Sequence, residues 1–381
     1  SANYSFNVAR QDVNQFGQLA RMEAIILEAP TVSFDTSYLL GDGFNEQALG
    51  FLNGSGLNKG FISGQIASTS GTNLYILTAP EGLDANFNTT STGYSTIGIG
   101  NAFLTDYTLD ASVGSIPTVS VSFEGTNMNA TAAVSGGAIS GVGYSGISGV
   151  GIDPQLGTVI ANQISQKSIF EHENGTGAGI LLPVASQGTG ILVNGNENGT
   201  NDVVSALRPG DISLSFANAD GDSIVTLSGD GTAHVQSVSI SIPLGRTPID
   251  KLGTRFSFAR VVDFPITPTL SVSAIVSDTQ TRALTDIIND DAFISSLEIL
   301  FKKADADAVA GGAGVNNNLH QAAYKMTNLK LDSEAFSSSI GPNKTVDLSF
   351  SLSIGGPDDT VNNVFFSGAN TGTVLGNAQL L

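Results

Sequence analysis

The sequence predicts a mainly β fold with a minor α component. Two small antiparallel β-barrel or sandwich modules stand in tandem, each with a flanking helix, and a Gly-rich β insertion separates them. Three observations predict this. Apolar and polar residues alternate in short runs, as in Tyr4, Phe6, Val8 and in Val238, Ile240, Ile242, the period of a strand with one face buried. Glycine is abundant, at 45 of 381 residues, among many Ser, Thr and Asn, which favours short strands and tight turns. The opening of the chain is repeated about two thirds of the way along.

The repeat sets the element order. In "NYSFNVARQDVNQFGQLARMEAIILEAPTVSF" and "SVSISIPLGRTPIDKLGTRFSFARVVDFPITPTLSVSA", Arg10 falls on Arg246, Val13 on Ile249, Phe16 on Leu252 and Gly17 on Gly253 without a gap. An alternating strand precedes each block. After the strand, Val13/Phe16 and Ile249/Leu252 are spaced as on a short helical turn. Gly17 and Gly253 suit the left-handed residue that ends such a turn, and Pro248 suits its first position. A mixed run then reaches Pro30 or Pro265 and a second strand, Val32-Ser-Phe34 or Leu270-Ser-Val272-Ser-Ala274.

A helix comes next. "TQTRALTDIINDDAF" puts Leu284, Ile287 and Ile288 on one face, and "NEQALGFLNGSG" is its weaker counterpart. A strand follows each, Leu74–Leu77 and Leu297–Phe301. A second matched block lies downstream: "SVGSIPTVSVSFEG" answers "SIGPNKTVDLSFSLSIGG", pairing Gly114 with Gly341, Thr118 with Thr345 and Phe123 with Phe350. Two matched blocks in the same order argue for a duplicated module rather than chance. The expected organisation is residues 1–126 for the core of the first module, 127–233 for the insertion and closing strands of that module, and 234–381 for the second. The repeat anchors are Arg10, Gly17, Pro30, Gly114, Phe123, Arg246, Gly253, Pro265, Gly341 and Phe350.

The composition excludes several functions. The chain has no Cys, hence no disulfide framework. No apolar run approaches the roughly 18 residues of a membrane span. The N-terminal stretch has no basic region followed by an apolar core, so no Sec-type signal is expected, unless already removed, and a cytosolic start is expected. The net charge is −19, and no Lys or Arg occurs between Phe61 and Gln166. A nucleic-acid binder grips phosphates with clustered Lys and Arg, and the pair Lys302-Lys303 makes no such cluster. The acidity serves solubility at the least.

No motif carries chemistry. "GVGYSG" (Gly141, Gly143, Gly146) matches G-x-G-x-x-G, but no amphipathic helix follows, so it reads as a Gly loop. Asn218, Asp220 and Asp222 alternate as in a calcium loop. Ser223 stands where an EF-hand needs Gly, however, and Gly229 where it needs Glu, so an Asp/Gly hairpin turn fits better. His172, His234 and His320 are scattered. No catalytic residue, cofactor or metal ligand is expected, and the chain reads as non-enzymatic.

The blocks "RTPIDKLGTRFSFARVVDFPI" and "LDSEAFSSSIGPNKTVDLSFSLSIGG" resemble segments of bacteriophage tail tube proteins, and "RQDVNQFGQLARMEAIILEAP" and "LDASVGSIPTVSVSFEG" are degenerate versions. The resemblance spans both modules and leaves out the Gly-rich middle. It implies a structural virion protein, assembled in the host cytoplasm, whose small β-barrels form six-fold rings that stack into a tube. With two fused modules, three chains make a pseudo-hexameric ring. Its partners are then other copies of itself, sheath, tape-measure or other tail proteins, and double-stranded DNA passing non-specifically through the lumen. An acidic wall repels phosphate and leaves the duplex hydrated. Two other roles fit the same composition: another virion component, such as a capsid decoration or tail-end protein, and a surface-layer or adhesin-type β-protein.

Overall fold

The computed structural model describes residues 1–17, 19–26, 30–41, 43, 45–46, 49–51, 60–67, 72–78, 81, 94–134, 138–140, 166–168, 212–217, 223–226, 233–249, 252, 259–276, 296–302, 320–337, 345–356, 358–359 and 361–368. They are mostly antiparallel strand, so the fold is mainly β.

The first half begins with β1 (Ala2–Asn7), antiparallel to β4 (Thr31–Leu39) with Tyr4 opposite Phe34. A hairpin of β2 (Arg10–Val13) and β3 (Glu23–Ile26) lies between them in sequence. A five-residue helix, α1 (Ser63–Ala67), precedes β5 (Thr72–Thr78). The long strand β6 (Tyr94–Ser112) then serves two sheets. Its first part pairs with β5 and with β8 (Asn127–Val134). Its second part pairs with β7 (Thr118–Gly125), which also pairs with β4.

The middle of the chain contributes a short pair, β9 (Ala138–Ser140) with β10 (Gln166–Ser168). It also contributes the antiparallel pair β11 (Ile212–Ala217) and β12 (Ser223–Thr226). The Asp/Gly turn expected between those two, with Asn218, Asp220 and Asp222, lies outside the described residues, as do Gly141, Gly143 and Gly146. β8 joins strands of the first half, whereas β11 pairs with a strand of the second.

In the second half the pairings recur. β13 (Ala233–Pro243) pairs with β16 (Thr269–Val276), as β1 does with β4. β14 (Arg246–Ile249) pairs with β15 (Ala259–Val262), as β2 does with β3. β16 pairs with β20 (Thr345–Ser351), as β4 does with β7. β17 (Ser296–Lys302) pairs with β18 (His320–Thr327), which pairs with β21 (Val364–Gly368), as β5, β6 and β8 do. β19 (Lys330–Ser337) pairs with β20, as the end of β6 does with β7. β18 and β19 together occupy the place of β6. The chain breaks between them at Asn328, whose φ of 56° is left-handed and interrupts a strand.

Even the irregularities match. β6 and β7 slip register between Leu104 and Asp106, and β19 and β20 slip between Leu331 and Ser333. Leu104 pairs with Phe123 and Leu331 with Phe350, so the bulge sits at the same place relative to the two phenylalanines. Phe34 and Leu270 lie opposite those same residues.

The segments after β1 and β13 differ from the helical turns expected there. Val13 and Ile249 end strands of two-stranded ribbons, with Arg10 opposite Ile26 and Arg246 opposite Val262. Val13, Ile25, Ile26, Ile249, Val261 and Val262 are β-branched and favour an extended chain. A single helical turn fixes several dihedrals for one hydrogen bond, which gives it little to set against a ladder. Pro248 is tolerated in the ribbon because an edge strand can spare a donor. Gly17 keeps its left-handed conformation, φ 93°, in the turn after β2.

One helical turn begins at Asn45, where the Leu49 amide donates to the Asn45 carbonyl at 2.9 Å. It falls in the weaker of the two expected helices. The stronger one, with Leu284, Ile287 and Ile288, lies outside the described residues.

The halves share a core. Phe51 stacks on Phe61 at 4.1 Å, and both meet the Tyr107 ring nearly at right angles, at 5.0 and 5.2 Å. Tyr107, from β6, shares a 2.7 Å hydrogen bond with Tyr324, from β18. Tyr324 packs on Phe366 at 4.6 Å. Each of these buried rings contributes about 1.5–3 kcal/mol by leaving water.

Candidate functional site: an open-edged sheet with an acidic face

β13 lies beside β6, with Ile240 opposite Leu109 and Ile242 opposite Tyr107. This pairing fuses strands of the two halves into one sheet. Eight strands follow in the order β1-β4-β7-β6-β13-β16-β20-β19, and among the described residues β1 and β19 each have one strand neighbour. The polar alternation along most of its strands gives this sheet two unlike faces. One face is apolar and joins the core through Phe34, Phe123, Val121, Leu109, Ile240, Ile242, Leu270, Val272 and Phe350.

The other face is built of hydroxyls, amides and acids. One cross-strand row carries Asn3, Asp35, Ser122 and Asp106, and another carries Asp110, Ser239, Ser271 and Ser349, with Thr108, Ser120, Ser241 and Asp347 in other rows of the same face. Short bonds hold some of these in place. Ser122 donates to Asp35 Oδ1 at 2.7 Å and Thr108 to Asp106 Oδ2 at 3.0 Å. Partial burial pushes the Asp106 carboxyl up, and the Thr108 hydrogen bond partly offsets this. Arg260 reaches Glu124 at 2.8 Å, so that acid is neutralised while Asp35, Asp110 and Asp347 have no salt-bridge partner among the described residues.

The repeat anchors fall in different places. Phe123 and Phe350 occupy equivalent positions in the apolar face. Gly114 turns the chain between β6 and β7 with φ 86°. Pro30 leads into β4, and Pro265, in a cis peptide with Phe264, leads towards β16. Gly253 and Gly341 lie outside the described residues. Arg10 is exposed in the ribbon after β1, whereas Arg246 sits at the seam between the halves. There its guanidinium lies 5.0 Å over the Phe103 ring and donates to the Gln65 carbonyl. Burial, and then the neighbouring Arg260, lower its pKa to about 10.

Sequence reasoning missed a buried polar cluster under the sheet. Tyr38 donates to Glu46 Oε1 at 3.0 Å, and Tyr107 lies 3.5 Å from the same oxygen. Burial, and then the Glu46 charge or a neighbouring tyrosine, raise the phenols of Tyr38 and Tyr107 well above 10. Among the described residues no group of three His, Cys, Asp or Glu is placed to hold a metal ion, and no helix is long and apolar enough to cross a membrane.

No family model matches the sequence, and no curated protein does. Several solved structures match part of the fold. The anti-feeding prophage cap, which terminates the AFP tube, is 11% identical, with 44% of this chain and 94% of that chain covered and a TM-score of 0.27. The SPP1 tail tube is 11% identical, with 41% of this chain and 86% of that one covered and a TM-score of 0.25. The Hcp1 protein from E. coli EAEC 042 is 10% identical, with 42% of this chain and 98% of that one covered and a TM-score of 0.22.

Proposed function

We propose that this chain is a structural tail protein of a phage-type particle that assembles into stacked rings, each chain supplying two adjacent ring positions, with double-stranded DNA passing through the lumen. In this reading residues 1–126 and 234–381 are copies of one module, and the acidic sheet face lines the hole. One observation carries it. The strand pairings of the first half recur in the second, bulge included, and the two sets are already joined side by side at β6 and β13. A contact that places one unit beside an equivalent unit by a rotation repeats until it closes or runs on as a helix.

The acid face supports the lumen assignment. Duplex carries one negative charge per about 1.7 Å, so a wall with cations would hold it at many points. Asp35, Asp110 and Asp347 stand instead among neutral hydroxyls and amides. The test is cryo-EM of the purified assembly. Rings of three chains with pseudo-six-fold symmetry and the acid face inward are expected. Rings of six chains, each filling one position, overturn the fused-module reading.

A further inference from the structure

We infer that β1 of one copy pairs antiparallel with β19 of a second copy, in the register that sets Tyr4 opposite Phe336, Ser5 opposite Ala335 and Phe6 opposite Glu334. The inference takes from the proposed function that the partner is a second copy of this chain. It adds which edges meet and in what register.

The backbone of β1 is set for such a contact. Ser1 and Ser37 exchange main-chain bonds, each nitrogen donating to the other's carbonyl at 3.0 Å. Bonded and non-bonded pairs alternate along an antiparallel ladder. Asn3, Ser5 and Asn7 therefore use their main-chain groups on β4, and Ala2, Tyr4 and Phe6 aim theirs outward.

The seam inside the chain shows what such groups do. There Leu244 donates to the Thr105 carbonyl and Val113 to the Gln236 carbonyl, both at 2.8 Å. By the same alternation Val238, Ile240 and Ile242 bond to Ala111, Leu109 and Tyr107. The recurring registers make Tyr4 and Phe6 the counterparts of Ile240 and Ile242, since Tyr4 faces Phe34 as Ile240 faces Leu270. They make Phe336 and Glu334 the counterparts of Leu109 and Tyr107, since Phe336 faces Val346 as Leu109 faces Val119. Transferring the seam to the two open edges gives the stated register.

Exposure follows the same map. Ile240, Ile242, Leu109 and Tyr107 are fully buried at the seam, whereas their counterparts Tyr4, Phe6 and Phe336 are 43%, 60% and 55% exposed. An open edge carrying large apolar side chains is an association hazard unless it is covered. The charged contacts of the seam are not copied. Phe103, Glu124 and Arg260 correspond to Lys330, Ser351 and Ala24, so the cation–ring contact and the ion pair have no counterpart between chains. The contact between copies is main-chain bonding plus apolar burial at Tyr4 and Phe336, with the Glu334 side chain on the same face opposite Phe6.

The chain has no cysteine, so disulfide trapping needs no background removal. Ser5 and Ala335 form a non-bonded pair in this register, with Cα atoms about 4.5 Å apart, within disulfide reach. In S5C/A335C, oxidation of the assembled protein is expected to give a ladder of disulfide-linked chains on denaturing gels. S5C/S333C, two residues out of register, is expected to give at least tenfold less. In parallel, Tyr4→Pro removes an outward amide hydrogen that β4 does not use, and is expected to raise the concentration needed for assembly at least tenfold with the thermal midpoint of the dilute chain held. Rings by microscopy without the S5C/A335C ladder, or equal trapping of both pairs, overturn the inference and leave the ring reading standing. A disulfide within one chain also overturns it, since β1 and β19 would then close on each other. Unmodified protein that stays monomeric at high concentration overturns both.

Discussion

Tyr107 and Tyr324 join the halves through one hydrogen bond, and the two hydroxyls are not equivalent. Tyr107 lies at 2.7 Å from the Tyr324 hydroxyl and at 3.5 Å from Glu46 Oε1. Tyr324→Phe removes one bond and leaves Tyr107 the carboxylate, so a loss of about 1 kcal/mol in denaturant unfolding is expected. Tyr107→Phe takes a partner from both neighbours and is expected to cost more, about 1–3 kcal/mol. A second buried acid gives a pH signature. Glu298 lies opposite Lys325 across β17 and β18, and one of its oxygens is buried without a hydrogen-bond partner. Burial raises its pKa to about 7, partly offset by the Lys325 charge. The folded protein then keeps a proton that the unfolded chain releases near 4.5, so it binds more protons between those values. Stability therefore falls as pH rises from about 4.5 to 7, by at most about 1.4 kcal/mol per unit. Glu298→Gln is expected to flatten that slope, measured as thermal midpoint against pH.

Where two elements meet closely, a single methyl group tests the fit. Gly60 precedes α1 in the first half, and a Cβ there would lie 2.0 Å from Asn363 Oδ1 beside β21 in the second. Asn363 cannot easily withdraw, because its Oδ1 accepts the Val364 amide at 2.8 Å and its carbonyl accepts the Thr327 amide at 3.0 Å. Gly60→Ala is expected to lower stability by about 1–3 kcal/mol through forced displacement, read by denaturant melts. Gly17, where an added Cβ would meet nothing within 4 Å among the described residues beyond its chain neighbours, is the control for backbone strain without a clash. The Gly60–Asn363 contact was not legible in the sequence, since it joins residues far apart in number. The alternating strands were legible: Val119, Val121 and Phe123 bury one side of β7, and Val238, Ile240 and Ile242 one side of β13. The ribbons after β1 and β13 were misread, because Val13 and Phe16 are spaced as on a helix while Phe16, Leu19 and Leu252 remain exposed. Apolar periodicity assumes a core within the same chain, and these side chains have none. The buried Glu46 and Glu298 escaped notice for the opposite reason. An isolated acid reads as solvated until long-range packing covers it.

At the scale of the molecule, the sheet's polar face decides how DNA would behave in the proposed tube. Sequence alone could not say which of the many acids share a surface. The register does: Asp35, Asp110 and Asp347 stand on the side opposite Phe34, Leu109 and Phe350. If that side lines the lumen, the symmetry of a ring repeats each acid around the hole and the stacking of rings repeats it along the tube. A charge reversal is multiplied in the same way. Asp35→Lys, Asp110→Lys and Asp347→Lys change exposed positions outside the core, so the chain is expected to fold and assemble as before. Unmodified tubes are expected to show no retention on immobilised duplex at 50 mM salt, and the triple variant to bind linear duplex that can thread its open ends. Each phosphate neutralised contributes about −0.9 to the slope of log K against log salt, so binding should fall steeply between about 50 and 200 mM. Blocking the duplex ends with bulky caps separates the inside of the tube from the outside. Binding that disappears when both ends are capped places the three lysines in the lumen. Binding that survives the caps puts this face on the exterior, and the lumen assignment then fails.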